Sequence, residues 1–366
     1  MKQYIIPVFI PYSGCPHRCI FCNQKKIAGE VEGVNIETIR KTVDTWISLS
    51  AISHQPSAFK NRQVAFYGGS FTAIPLEKQK EILSSISHYL KNGVVDSIRL
   101  STRPDSISAG NLALLKRYGV KTIELGVQSM DNRVLSLSER GHSSDDVGNT
   151  ASLLKAHKFE VGIQIMPGLP GDTFESSINT ADEVIKLKPD FVRIYPAVVI
   201  KDTGLADLYQ KGAFKPLTLY DAIGVCKIML MKFETNNIPV IRIGLQPTPS
   251  LIEKGTILDG PFHPALRQLV ESEIAYDLMK YIIVNNIKRD RVSFLTSPTE
   301  LSNFIGQKRV NIKRLESEFA VSMDIIADNE LKPGGVIFDN SFEKVYIKRK
   351  DFLKKYTGYH NALTDN

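Results

Sequence analysis

The sequence predicts an α/β protein: a partial (β/α)6 barrel of TIM-like type, followed by a small α+β unit. Three observations lead there. Six short β-branched runs alternate with amphipathic stretches as far as about residue 245. The stretches between them, "LEKQKEILSSISHYLKNG" and "SISAGNLALLKRYG" among others, carry apolar residues at helical spacing and end at Gly, so crossovers join parallel strands. The residues with chemistry all follow strands, as on the active face of a barrel, whereas an open sheet uses mainly its switch point.

The six runs are "YIIPVFI", "RQVAFYGG", "DSIRLST", "TIELGVQ", "EVGIQIMPG" and "DFVRIYPAVV". After them come, in turn, a cysteine loop, "GGSFT", "STRPD", "GVQS" and "MPGLPG", while the sixth contains "RIYPA". The barrel is expected over 1–245. Residues 246–265, rich in Gly and Pro, read as a linker, and 266–366 as the α+β unit.

With 366 residues, 43% hydrophobic content and both charge signs interspersed, disordered and fibrous classes are excluded. The net charge of +7 permits a polyanionic partner without requiring one. No apolar run suits a secretory signal or a membrane span, so a cytoplasmic protein with no membrane partner is expected. Composition leaves the oligomeric state open.

Of four cysteines, Cys15, Cys19 and Cys22 crowd into C-x3-C-x2-C, a poor disulfide framework and a good soft-metal site. Three thiolates can hold three irons of a 4Fe-4S cube and leave the fourth iron open. Zinc is the rival, with His17 as fourth ligand, but structural zinc sites draw a second ligand pair from a distant segment. Cys226, among Ile223, Ile228 and Met229, reads as a buried core thiol, and His142 and His263 as structural.

"CPHRCIFC" after a first strand and "YGGSFT" after a second resemble the radical S-adenosylmethionine (SAM) superfamily. The ordered string "FYGGSFT", "STRPD", "ELGVQS", "ERGH", "MPGLPGDT" and "IYPAVVIKDTGL" is similar to the radical SAM part of Elongator catalytic subunits. Two departures stand out: the cysteine spacing is shorter here, and no acetyltransferase domain follows, so acetyl-CoA chemistry is not expected.

The resemblance implies a 4Fe-4S cluster on Cys15, Cys19 and Cys22 whose open iron binds SAM. An external electron donor of flavodoxin or ferredoxin type would reduce it, and SAM would be cleaved to a 5'-deoxyadenosyl radical. SAM contacts are expected from Phe21, Gly68, Gly69, Ser70, Thr72, Arg103, Gln128, Ser129 and Gln164. The paired glycines let a ligand approach the backbone, and Arg103 suits a carboxylate, with a buried ion pair as the plainer alternative. Asp105 reads as a helix N-cap, and Tyr195 as a substrate contact, a relay or barrel lining.

"NFIGQKRVNIKRLESEFAVSMDII" is similar to a KH RNA-binding domain, around 290–328. Gly306 matches the first loop glycine, and Arg309 stands in place of the second. Lys308, Arg309, Lys313 and Arg314 form one basic cluster and Lys348 to Lys350 another. A tRNA base is therefore the expected substrate, ahead of a small molecule such as a porphyrinogen. A zinc-stabilised RNA-binding protein is the non-enzymatic alternative.

Overall fold

The computed structural model describes the chain except residues 1, 11–13, 24–25, 28–34, 53–58, 287–289, 341–342 and 365–366. Six strands, β1 (Lys2–Phe9), β2 (Phe59–Tyr67), β3 (Ser97–Thr102), β4 (Val120–Gln128), β5 (Glu160–Ile165) and β6 (Phe191–Ile194), lie side by side in sequence order. Every neighbouring pair is parallel, and the sheet is the curled half-barrel that the sequence predicts. The crossover helices start where short polar side chains cap them. Ser108, Ser143 and Thr173 each accept the amide three residues on and in return donate their own backbone N–H to the side chains of Asn111, Asp146 and Ser176.

Period-two alternation divides the strand residues between two faces. Val64, Phe66, Ile98, Leu100, Ile123 and Leu125 are fully buried on one face. The opposite face carries Gln63, Arg99, Glu124, Gln164 and Arg193. Parallel strands covered on both sides read as continuous apolar runs, so this polar row marks the concave interior. Gly162 makes room there for the Phe191 ring, since a Cβ at that position would stand 2.3 Å from Phe191 Cζ and 3.1 Å from Glu124 Cγ. Gly162→Ala is expected to cost about 1–3 kcal/mol by overpacking, read from the urea midpoint.

Three short strands follow: β7 (Val199–Ile200), β8 (Val240–Ile243) and β9 (Ile257–Asp259). The sixth run is interrupted at Pro196, which lacks the N–H that a ladder needs, so β6 and β7 are separate. Contacts divide the chain into two units, 1–218 with 245–262 and 219–244 with 263–366. This departs from the expected partition at two places. Segment 219–244 belongs to the second unit, where Lys227 meets Asp277 at 2.6 Å and Glu234 meets Arg349 at 3.1 Å. Most of the expected linker is ordered within the first unit. There β9 pairs antiparallel with β7, and Leu251 packs with Val198 and Ile200. Gly- and Pro-rich sequence has no periodicity from which such long-range partners can be read.

In the second unit β10 (Arg291–Thr296) leads through the helices Leu301–Ile305 and Val310–Phe319 to β11 (Ser322–Ala327), and β12 (Gly335–Asp339) and β13 (Lys344–Lys348) complete a sheet ordered β11-β10-β12-β13. β10 is parallel to β11, and β12 is antiparallel to both β10 and β13. Val292, Phe294, Met323, Val336 and Phe338 are buried, with the two Phe rings 5.3 Å apart. No helix among the described residues is long and apolar enough to cross a membrane.

Candidate active site

The cysteine loop leaves β1 and is held at both ends. Gly14 has φ +75°, and a Cβ there would lie 2.3 Å from Ser70 O and 2.7 Å from Ile74 N, inside the backbone of the "GGSFT" turn. At the other end Leu205 N donates to Ile20 O at 2.7 Å, and Asn23 Nδ2 donates to Lys201 O at 3.0 Å. Phe21 packs between the cluster of Ile20, Val199 and Leu205 and that of Val134, Leu169 and Ala197, beside Met166.

Cys15, Cys19 and Cys22 are half-exposed, and none is in a disulfide. Arg140 Nη1 donates to Cys19 Sγ at 3.0 Å, and Arg103 Nη1 lies 4.0 Å from the same sulfur. Among the described residues no three His, Cys, Asp or Glu side chains are gathered at metal-holding distance. His17 sits against Gly141, whose added Cβ would stand 2.6 Å from His17 Nε2. The donor set nevertheless fits an iron–sulfur cube with one open iron: three soft thiols on one short loop, docked on a glycine cradle and faced by two guanidinium groups.

The interior beneath the loop is a charged network. Glu124, 4% exposed, receives Arg99 Nη1 at 2.9 Å and lies 2.8 Å from Arg193 Nε. Arg193 also donates to Tyr195 and Tyr67, both at 3.1 Å, and Arg99 Nε donates to Gln63 at 3.0 Å. Burial, and then the Glu124 carboxylate, hold the Tyr67 phenol above its ordinary value, so it remains an O–H group.

The expected SAM contacts divide. Gly68 and Gly69 stand half-exposed at the end of β2, and Gln128 and Gln164 share the interior face, Gln164 Nε2 lying 3.4 Å from Gln128 Oε1. The hydroxyls of Ser70, Thr72 and Ser129 are engaged elsewhere. Thr72 lies 2.6 Å from Thr102 Oγ1, Ser70 lies 3.1 Å from the same atom and accepts from Arg103 N, and Ser129 turns to Thr180 and Asp131 N. The Arg103 guanidinium is held by Asp105 at 2.8–2.9 Å and by Arg140 O, the plainer of the two readings. Asp105 accordingly is an ion-pair partner, not an N-cap; Ser108 caps the next helix.

Sequence reasoning missed Arg140, which joins Cys19 to Gly126 O, and the Tyr67–Glu124–Arg193 network. For the network a signal was present: charged residues at alternate positions of strands otherwise apolar. His142, 8% exposed, sits on Val127 O at 3.3 Å, as a structural residue should. Burial, then the Arg140 and Arg103 charges, lower its pKa to about 4. Folded His142 thus stays neutral while the unfolded side chain takes a proton near pH 6.5. Its contribution to stability is complete above about pH 6.5 and is lost as pH falls toward 4, by about 2 kcal/mol at pH 5. Urea midpoints at pH 7 and pH 5 should differ less in His142→Gln than in the parent metal-free protein. Cys226 is fully buried, which pushes its thiol up.

In the second unit the expected RNA loop is a tight turn. Gly306 has φ +73°, and a Cβ there would meet Val310 Cγ1 at 2.8 Å. Arg309, in place of the second glycine, takes the left-handed φ 61°, ψ 31° that glycine adopts without strain. Lys308, Arg309 and Lys313 are exposed. Arg314 is not available in the same way, because it donates to Glu273 at 2.6 Å and lies 3.6 Å over the Tyr276 ring.

Comparison with known proteins agrees with this geometry. The Radical SAM superfamily matches residues 9–184, and the Radical_SAM C-terminal domain matches 189–276. An uncharacterised protein of Methanocaldococcus jannaschii is 31% identical over 226 residues, 59% of this chain and 67% of that protein. The tRNA uridine(34) acetyltransferase of Methanocaldococcus infernus is 27% identical over 258 residues, 60% of this chain but 48% of the enzyme, so the match spans about half of that relative. The structure of archaeal Elp3 from Methanocaldococcus infernus with an N-terminal deletion aligns with TM-score 0.58 at 20% identity, covering 92% of this chain and 74% of that one, and shares its fold. With its cysteine loop docked on the "GGSFT" turn of a curled parallel sheet, the chain belongs to the radical SAM superfamily.

Proposed function

We propose that this chain is a radical SAM enzyme that carries a 4Fe-4S cluster on Cys15, Cys19 and Cys22, cleaves SAM and modifies a tRNA base. The observation that carries the reading is the seating of the three-thiol loop on the "GGSFT" backbone at the mouth of a polar interior. When bound and reduced by an external donor, cluster and SAM would supply a 5'-deoxyadenosyl radical able to take a hydrogen atom from a substrate. The chain's own residues bind and orient. Gly68 and Gly69 offer backbone groups to SAM, Gln128 and Gln164 offer amides, and Tyr67 and Tyr195 present phenols fixed by Arg193.

That interior favours a nucleobase over a porphyrinogen. A base is read by neutral donors and acceptors, whereas an acid-bearing macrocycle calls for available cations. Arg99 and Arg193 share Glu124, Arg103 is held by Asp105, and Arg140 by Cys19 and Gly126 O. The similarity to tRNA uridine(34) acetyltransferases and the exposed Lys308, Arg309 and Lys313 support a tRNA.

The test is anaerobic reconstitution with iron, sulfide and zinc measured, then dithionite and SAM with chromatography for 5'-deoxyadenosine. Near four irons and a nucleoside that disappears in Cys19→Ala are expected. One zinc, no iron and no nucleoside would leave a zinc-stabilised RNA-binding protein as the better account.

A further inference from the structure

The sheet of the second unit has an open face that the RNA-binding loop does not explain. Registry places Ile326, Leu295, Ile337 and Tyr346 in one row across all four strands. Ile326 is 49% and Tyr346 53% exposed. The Tyr346 ring leans over Gly335, where a Cβ would stand 2.4 Å from its hydroxyl and 2.7 Å from Cε2. Glycine thus lets the ring lie along the sheet and turn a face outward. On the same side of β13, two residues to either side, are Lys344 and Lys348, both exposed. A cation, a ring and a cation follow one another at steps of about 6.8 Å.

Lysines alone would be explained as guards of an edge strand against pairing. An exposed tyrosine laid over a glycine would not. The two acids of this face are each paired, Asp324 with Arg291 at 2.9 Å and Asp339 with Lys344 at 3.3 Å, and Lys348 adds a positive charge. Aromatic faces interleaved with cations are what a single nucleic-acid strand asks for: rings to stack its bases, ammonium groups for its phosphates.

We propose that this face, centred on Tyr346 and flanked by Lys344 and Lys348, is a stacking platform for single-stranded RNA, separate from the Gly306–Arg309 turn. The inference rests on the tRNA reading and assigns it a second contact. It is tested with the full chain and a fluorescein-labelled oligouridylate of about twelve nucleotides. Tyr346→Ala should weaken binding roughly tenfold or more, Tyr346→Phe should retain it, and Gly335→Ala should weaken it with the tyrosine still present. Lys348→Ala should reduce the slope of log K against log salt by about 0.7.

Parent-like binding by Tyr346→Ala, with loss in Lys308→Ala and Arg309→Ala, would overturn the platform and leave the RNA reading standing on the loop. No binding of the oligonucleotide or of tRNA by the parent would overturn both. Equal affinity for a duplex would overturn stacking as the mode. A dimer in sedimentation that Tyr346→Ala abolishes would make a second copy of the chain the occupant instead.

Discussion

Glu124→Gln is expected to cost about 3–5 kcal/mol, the penalty of leaving buried cations without their carboxylate. The side chain is 5% exposed and faces two arginines, so bulk solvent does not reach the pair. Its loss also removes the charge that helps hold the Tyr67 phenol high, and ultraviolet titration of that phenol should move toward its ordinary range. Guanidinium unfolding measures the first effect. A cost below about 1 kcal/mol would mean that the two guanidinium groups reach solvent, as surface pairs do.

Gly14→Ala is the second large effect, on metal rather than on the fold. The residue has φ +75°, and the atoms its Cβ would strike, Ser70 O at 2.3 Å and Ile74 N at 2.7 Å, are backbone and cannot swing aside. The cysteine loop should lift from its seat, and iron retained after anaerobic reconstitution should fall to near zero while the sheet still unfolds cooperatively. Gly93→Ala is the control. It has the same left-handed backbone, φ +67°, with nothing within 4 Å, so it should bear the strain and keep its iron. Equal iron in the two variants would remove Gly14 from the account of the loop.

How much was legible depended on the range of the interaction. The strands and their order followed from local alternation and from helical stretches too long for hairpins, and the structure has them as read. The cysteine spacing put three free thiols on one short loop, because all three are near in sequence. What the sequence did not disclose were contacts between distant positions. Arg140 reaches Cys19 across 121 residues, and β9 finds β7 from within a stretch that reads as a linker. Ser70, Thr72 and Ser129 stand where expected, yet their hydroxyls turn toward Thr102, Arg103 N and Thr180, a choice made by rotamer and packing that no residue type reveals.

The clasp on the cysteine loop has a consequence for the order of assembly. One jaw is the turn after β2, and the other is the segment from Lys201 to Leu205, which follows β7. A nascent chain therefore exposes its three thiols early but completes their seat only after about two hundred residues have emerged, and closing so distant a contact is slow. Iron supplied during synthesis would meet a loop with half a cradle. On the proposed reading, a cluster would find its complete seat only after the segment that follows β7 has reached the loop.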